Sequence, residues 1–149
     1  MSHFPNKNYF TMPNEIFSLG LDASEIAVYA YLRCLENRRT YQCWPSYTTI
    51  GNAVDRAKNT VMRYVDALAE KGLIYTEPTS VLMRSGIKKN GNLRYTLRPI
   101  HEAVELFHDR QMAAVERAAE RQQIQRKLSA MDLLPGAGLL STSDAADEA

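Results

Sequence analysis

The sequence has little cysteine, no long apolar run and almost no net charge. Its 149 residues include two cysteines and carry a formal charge of +1. No run of 18 apolar residues is present, so no membrane-spanning helix is expected. The first residues also lack the apolar stretch of a signal peptide. In such a chain we expect free thiols, a cytoplasmic location, and one domain with an appendage.

Motifs for catalysis and metal binding are also scarce. There is no phosphate-binding glycine loop, no nucleophile elbow and no paired-carboxylate pattern, and Cys34 and Cys43 lack CxxC spacing. His101, Glu105 and His108 share one face of a predicted helix, but they have no fourth ligand nearby. We therefore expect no enzyme activity, no metal and no other cofactor.

Two helices joined by a tight turn are predicted between residues 46 and 72. Ser46 is a good N-cap for the first helix, because its hydroxyl accepts a hydrogen bond from an orphan backbone N–H. The second helix is expected from about Ala57 to Lys71, and Gly72 should end it in the left-handed conformation. The apolar faces of the two helices are expected from Ile50, Ala53 and Val54 and from Val61, Val65, Leu68 and Ala69.

A β-hairpin is predicted after the second helix. Residues 73–77 should pair with residues 93–98, with an intervening strand at 81–83. The sequence Asn-Gly-Asn at 90–92 is a turn signal, and residues 85–91 are expected to form a flexible tip.

Another helix is predicted upstream of this pair. Residues 12–17 should form a short helical turn that packs Ile16 and Phe17 under the domain. Asp22 and Glu25 have the spacing of a capping box, and the helix should continue to about Glu36, followed by a polar connection over residues 37–42. The apolar face of this upstream helix is expected from Ile26, Val28, Tyr29, Leu32 and Leu35.

Trp44, which follows the polar connection, is expected in the core, as most single tryptophans are largely buried.

Residues 21–74 resemble the winged helix-turn-helix family of bacterial regulators and of plasmid, phage and mobile-element replication proteins. The resemblance implies a mainly α-helical fold with a small β-wing, and it implies binding of double-stranded DNA. The matching pieces are Leu21-Asp22-Ala23-Ser24-Glu25, Trp44-Pro45-Ser46, Thr49-Ile50, Asn59-Thr60-Val61, Leu68 and Lys71-Gly72-Leu73-Ile74.

The turn between the two helices departs from the family pattern. The family usually has Gly, an apolar residue and Ser or Thr where this chain has Asp55, Arg56 and Ala57. Asp tolerates the left-handed conformation better than most residues, so the turn can form. Because Ala is a poor N-cap, we expect the second helix to begin one residue earlier or to be capped by Asp55.

The charges are segregated along the chain. Residues 1–55 sum to −1, residues 56–98 hold nine Lys/Arg and three Asp/Glu and sum to +6, and residues 99–149 sum to −4. The positive segment coincides with the second helix and the wing, which favours contact with phosphates. The residues expected to contact DNA are Ser46, Tyr47, Thr48, Lys58, Asn59, Thr60, Arg63, Tyr64, Lys88, Lys89 and Arg94.

Beyond the winged domain of residues 1–98, residues 99–131 are predicted to form one long helix. This segment contains good helix formers and, after Pro99, neither Gly nor Pro. Its apolar side chains need a partner surface to be buried. We expect this partner to be the same helix of a second chain, so that a homodimer forms through residues 100–131. The alternative is that the helix folds back on its own domain. Residues 132–149 are expected to be a disordered acidic tail.

Three functions are consistent with this pattern. The first is a small transcriptional regulator that acts as a nucleoid-associated homodimer. The second is a replication or maintenance protein of a plasmid, phage or conjugative element, because both would use the same domain. The third is a winged-helix module for protein–protein contact. The positive segment favours the first two, and the absence of a large second domain favours the regulator.

Overall fold

A computed structural model describes residues 8–132 of the chain. The expected acidic tail therefore lies outside the described residues, apart from Asp132 at its first position. The helices are a 3-10 turn at Asn14–Ser18, α1 at Ala23–Leu35, α2 at Tyr47–Val54, α3 at Lys58–Glu70 and α4 at Ile100–Asp132. The strands are β1 at Gln42–Cys43, β2 at Ile74–Glu77, β3 at Ser80–Leu82, β4 at Lys88–Asn90 and β5 at Arg94–Leu97.

The strands form two small antiparallel sheets. One has the order β1-β5-β2, and the other is the β3–β4 pair. The wing expected from residues 73–77 and 93–98 is confirmed, because β2 pairs with β5. The fold is therefore a mainly α-helical winged helix-turn-helix with a long C-terminal helix, as the sequence predicted.

The core lies between the helix-turn-helix, α1 and the β1-β5-β2 sheet. The capping box is present, since Asp22 Oδ1 accepts from the Glu25 N–H at 2.8 Å and Glu25 Oε1 accepts from the Asp22 N–H at 2.9 Å. The largest fully buried side chains are Tyr29, Tyr95, Ile16, Leu32, Ile50, Leu68, Leu73, Ile74, Val28, Val61 and Val65.

Several sequence predictions about burial are wrong. Phe17 is 79% exposed, because the short 3-10 turn directs only Ile16 into the core. Trp44 is 49% exposed. Residues 42–43 form strand β1 where a polar connection was expected, and Cys43 faces the core, so the alternation of side chains turns Trp44 outward. Leu35, at the last turn of α1, is also exposed.

The turn of the hairpin also differs from the prediction. Residues 90–92 do not form the hairpin turn, because Asn90 belongs to β4; the chain reverses between Met83 and Ile87 instead. The expected flexible tip at 85–91 therefore contains a strand. At the other end of the domain, Gly72 ends α3 with φ +82°, as expected.

The C-terminal helix belongs to both of the compact units into which the chain divides. One unit ends at Phe107 and the other begins at His108. In the first unit, Ala103 is buried, and Ile100, Val104 and Phe107 pack against the core.

In the part of the chain that the structure describes, no helix is long and apolar enough to cross a membrane.

Candidate nucleic-acid interface

The turn between α2 and α3 is a tight one that sets the two helices against each other. Asp55 adopts the left-handed conformation, with φ 57° and ψ 53°, so it takes the place that glycine usually holds. The Arg56 N–H donates to the Gly51 carbonyl at 2.9 Å. Ala57 then precedes the first residue of α3 without a side-chain cap. The helix does not begin earlier and Asp55 does not cap it, contrary to the prediction from the sequence.

Gly51 lets the backbone after α2 come close to the helix. A Cβ atom at this position would lie 2.5 Å from the Arg56 carbonyl oxygen, closer than real contacts allow. Gly51 is buried and Ala53 is exposed, so the apolar face of α2 is displaced from the one predicted with Ala53. Glycine is therefore required where the turn crosses the helix.

The first two turns of α3 present polar and basic side chains to solvent. Lys58, Asn59 and Arg63 are exposed, and Thr60 is half-buried. Tyr64 is half-buried and packs against the core, so only part of its side chain is available. The opposite face of α3 is buried through Val61, Val65 and Leu68. The structure thus brings the predicted residues of this helix together on one open face, with Tyr64 at its edge.

The start of α3 also offers backbone donors. Ala57 provides no side-chain hydrogen bond, and the first turn contains no acidic residue. The initial N–H groups of a helix have no partner within the helix and carry its positive dipole end. Further along, the exposed Asp66 makes the surface of α3 less favourable for a phosphate. The cationic part of α3 is therefore its N-terminal half.

The predicted contacts at the start of α2 are less open. The Ser46 hydroxyl caps the helix by accepting from the Thr49 N–H at 3.0 Å. Tyr47 is half-buried and packs against the core. The pKa of its hydroxyl is raised mainly by burial and to a smaller extent by the negative charge of Asp66. Thr48 is exposed. Of the three, Thr48 is the side chain most open to a ligand.

Two basic residues of the wing are exposed, and a third forms an ion pair within the domain. Lys88 and Lys89 lie on β4 and are exposed. Arg94 lies directly opposite Glu77 in the β2–β5 ladder, and its guanidinium forms an ion pair with that carboxylate. Arg94 thus has a structural partner, whereas the two lysines extend from the separate β3–β4 hairpin.

Two exposed residues next to this surface were missed by the sequence reasoning. Trp44 precedes the N-cap of α2, and its carbonyl accepts from Asn92 Nδ2 of the wing at 3.1 Å. Arg84 lies in the exposed turn of the β3–β4 hairpin. Residue type alone could have indicated Arg84, because it belongs to the positive segment. The exposure of Trp44 could not be predicted without knowing which side chain of β1 faces the core.

No metal-binding group accompanies this surface within residues 8–132. Among them, no three His, Cys, Asp or Glu side chains lie close enough together to hold a metal ion. Both cysteines are free, as expected, with Cys34 exposed and Cys43 buried.

The architecture of α2, α3 and the wing is that of a winged helix-turn-helix. Residues 19–74 match the family model described as "Helix-turn-helix domain". This match confirms the resemblance to a helix-turn-helix family that was drawn from the sequence. No curated protein sequence matches the chain.

Several solved structures are similar to this chain at low sequence identity. A possible transcriptional regulator from Methanosarcina mazei Go1 has 14% identity and a TM-score of 0.47, covering 72% of this chain and 81% of that one. MepR of S. aureus in complex with DNA has 14% identity and a TM-score of 0.41, covering 78% and 82%. A MarR-family regulator from Silicibacter pomeroyi has 20% identity and a TM-score of 0.39, covering 79% and 75%.

Proposed function

We propose that the protein binds double-stranded DNA sequence-specifically and inserts α3 into the major groove. The observation that carries the proposal is the open face of the first two turns of α3. There Lys58, Asn59 and Arg63 are exposed while the opposite face is buried. Arg, Lys and Asn are the side chains that make bidentate hydrogen bonds to guanine and adenine edges in the major groove. A helix-turn-helix presents its second helix in this manner.

The surroundings of α3 supply phosphate contacts. Lys88 and Lys89 are exposed on the wing, and the uncapped start of α3 offers backbone N–H groups. The segment 56–98 carries a net charge of +6. Such a segment attracts DNA through release of counterions and makes affinity strongly dependent on salt. Thr48 and the Tyr47 edge at the start of α2 complete the proposed contacts.

Base readout is tested with Arg63. Full-length protein is used to select its preferred duplex from a random pool, and binding of Arg63→Ala to that duplex is measured. Loss of the side chain should cost about 1–3 kcal/mol and relax specificity at one position. Arg39→Ala, which removes an exposed arginine outside this surface, is the matched control. Binding of the Arg63 variant as tight as that of the control would contradict the assignment.

We further propose that the chain acts as a homodimer through residues 100–131. In the second compact unit, α4 exposes large apolar side chains. Helical apolar side chains of this size are normally covered by a partner, and an identical helix is the simplest one. The exposed members are Met112, Val115, Ile124, Leu128 and Met131, with exposures of 56–62%.

A dimer would present two recognition helices to an inverted repeat, with half-sites about one helical turn or a multiple apart. Sedimentation of the full chain at micromolar concentration should show a dimer, and Ile124→Ser with Leu128→Ser should shift it to a monomer. Gln122→Ser with Gln125→Ser on the same helix is the control. A monomeric wild-type chain would end this part of the proposal.

The role we propose is transcriptional regulation by a cytoplasmic, nucleoid-associated protein. Occupancy of an inverted repeat within a promoter is sufficient to block a polymerase, so repression requires no groups beyond those already described. Reporter transcription from a promoter carrying the selected duplex should change when the protein is expressed. Arg63→Ala should abolish the change. Unaltered transcription despite full occupancy would favour the replication role.

A further inference from the structure

The β3–β4 hairpin exposes large apolar side chains that nothing within the described residues covers. Val81, Leu82, Met83 and Ile87 are 54%, 69%, 46% and 65% exposed. The hairpin is a sheet of its own, separate from the β1-β5-β2 sheet. Single exposed apolar residues are common, but a cluster on one short element marks an interaction site. The hairpin therefore presents an apolar surface that the described residues leave uncovered.

The register places most of these side chains on one face of the hairpin. Val81 lies opposite Lys89, and Met83 donates its N–H to the Ile87 carbonyl at 2.9 Å, which makes those two residues opposite as well. Because side chains alternate along a strand, one face carries Val81, Met83, Ile87 and Lys89, and the other carries Leu82 and Lys88. An apolar pair, Met83 and Ile87, thus stands nearest the turn, with Val81 and Lys89 behind it.

The turn itself is narrow. The Gly86 N–H donates to the Met83 carbonyl at 2.9 Å, and Gly86 has φ +83°, in the left-handed region. A three-residue loop of this kind, with glycine at its last position, closes a hairpin tightly. The apolar pair consequently lies directly behind a compact end.

The charges of the hairpin point to a polyanion as the partner. Arg84, Lys88 and Lys89 are exposed, and residues 78–101 contain no Asp or Glu. The hairpin also continues from β2, which begins shortly after α3 ends. Charge complementarity and this position in the chain favour the duplex that α3 is proposed to bind.

We propose that the end of the hairpin is a wedge for the DNA minor groove. Met83 and Ile87 insert between base pairs, while Arg84, Lys88 and Lys89 hold the phosphates on either side. This inference rests on the proposed DNA binding. Apolar side chains that enter the minor groove partly unstack a base step and kink the duplex by about 20–90° toward the major groove. Because pyrimidine–purine steps kink most easily, the wing would add specificity through DNA deformability.

The wedge is tested by measuring DNA bending and salt dependence together. A duplex selected by the full-length protein carries donor and acceptor dyes at its ends, and energy transfer reports the bend at saturating protein. Met83→Ser with Ile87→Ser removes the apolar pair and leaves the charges. Lys88→Gln with Lys89→Gln removes two charges and leaves the apolar pair.

The two double variants should behave oppositely. The serine variant should lose the bend and keep the same slope of log affinity against log salt. The retained slope would show that the hairpin is still folded and still contacts the DNA phosphates. The glutamine variant should keep the bend at saturation while its slope falls by about two phosphate contacts.

Three outcomes would overturn the wedge. A straight wild-type complex would show that nothing is inserted. An unchanged bend in the serine variant would assign the bend to another element. Dimerisation of the wild type that the serine variant abolishes would make a second copy the occupant. Each of these results leaves DNA binding intact, whereas failure of the wild type to bind any selected duplex would refute the proposed function itself.

Discussion

The Lys71 ammonium lies 3.0 and 3.1 Å from the two carboxylate oxygens of Glu25. Glu25 is 5% exposed, and one of its oxygens also accepts from the Asp22 N–H in the capping box at the start of α1. The last turn of the proposed recognition helix is thereby tied to the first turn of α1. Two pieces of the family pattern, 46 residues apart in sequence, meet at a single carboxylate.

Removing Lys71 should destabilise the domain, because it leaves a buried carboxylate with fewer partners. Lys71→Met keeps the length of the side chain and should lower the free energy of unfolding by about 1–3 kcal/mol. With Glu25→Gln added, the total loss should be smaller than the sum of the two single losses. The control is Arg98→Met, whose exposed ion pair with Glu102 is worth at most about 1 kcal/mol. Equal losses at Lys71 and Arg98 in urea unfolding would refute the coupling.

Gly51→Ala should destabilise the domain, although alanine normally stabilises a helix by about 0.5–1 kcal/mol relative to glycine. The added Cβ would lie 2.5 Å from the Arg56 carbonyl oxygen, and relieving the overlap requires the turn to move at a cost of about 1–3 kcal/mol. Asn52→Ala, at an exposed site of the same helix, is the control. Thermal unfolding gives the sign, and a stabilised Gly51 variant would contradict the close approach.

Glu36 should make the domain less stable as the pH rises through the weakly acidic range. Burial, partly opposed by Arg33 and Arg38, raises the pKa of its carboxyl above 4.5, and its Oε2 is buried without a hydrogen bond. The folded state therefore holds this proton more tightly than the unfolded state, so stability falls with rising pH from about 4.5 up to the raised pKa.

Glu36→Gln removes that titration. Its stability relative to the wild type should increase across the same pH interval and then level off, as measured by urea unfolding at a series of pH values. Glu15→Gln at an exposed position controls for the change in net charge. A difference between wild type and the Glu36 variant that stays constant with pH would show that the carboxyl is not perturbed.

The two cysteines should react at very different rates in the native protein. Cys34 is exposed, whereas Cys43 is 4% exposed, and burial, with a smaller contribution from the charge of Glu36, raises the pKa of its thiol to about 12. Since the thiolate is the reactive form, iodoacetamide near pH 8 should modify one thiol per chain. Cys34→Ser should abolish the fast reaction and Cys43→Ser should not. Rapid modification of Cys43 before denaturation would disprove its burial.

The sequence by itself determined the helices, the caps of α1 and α2, and the family resemblance. Ser46 and Asp22 cap the helices that they were expected to cap, and Gly72 ends α3, because these interactions lie within one helical turn of the residue concerned. The tolerance of Asp55 for the left-handed conformation is likewise local. Such features depend on backbone geometry and neighbouring side chains, which lie within a short stretch of sequence.

The tertiary structure alone decided which side chains reach the surface and which charges are neutralised. Trp44 is exposed because Cys43 faces the core in a strand that forms only by pairing with β5. Arg94 is engaged because the β2–β5 register sets it opposite Glu77, whereas Lys88 and Lys89 stay exposed on another sheet. These outcomes depend on contacts between distant segments. Local periodicity does not determine which distant segments come into contact, since the pairing register depends on the folded chain as a whole.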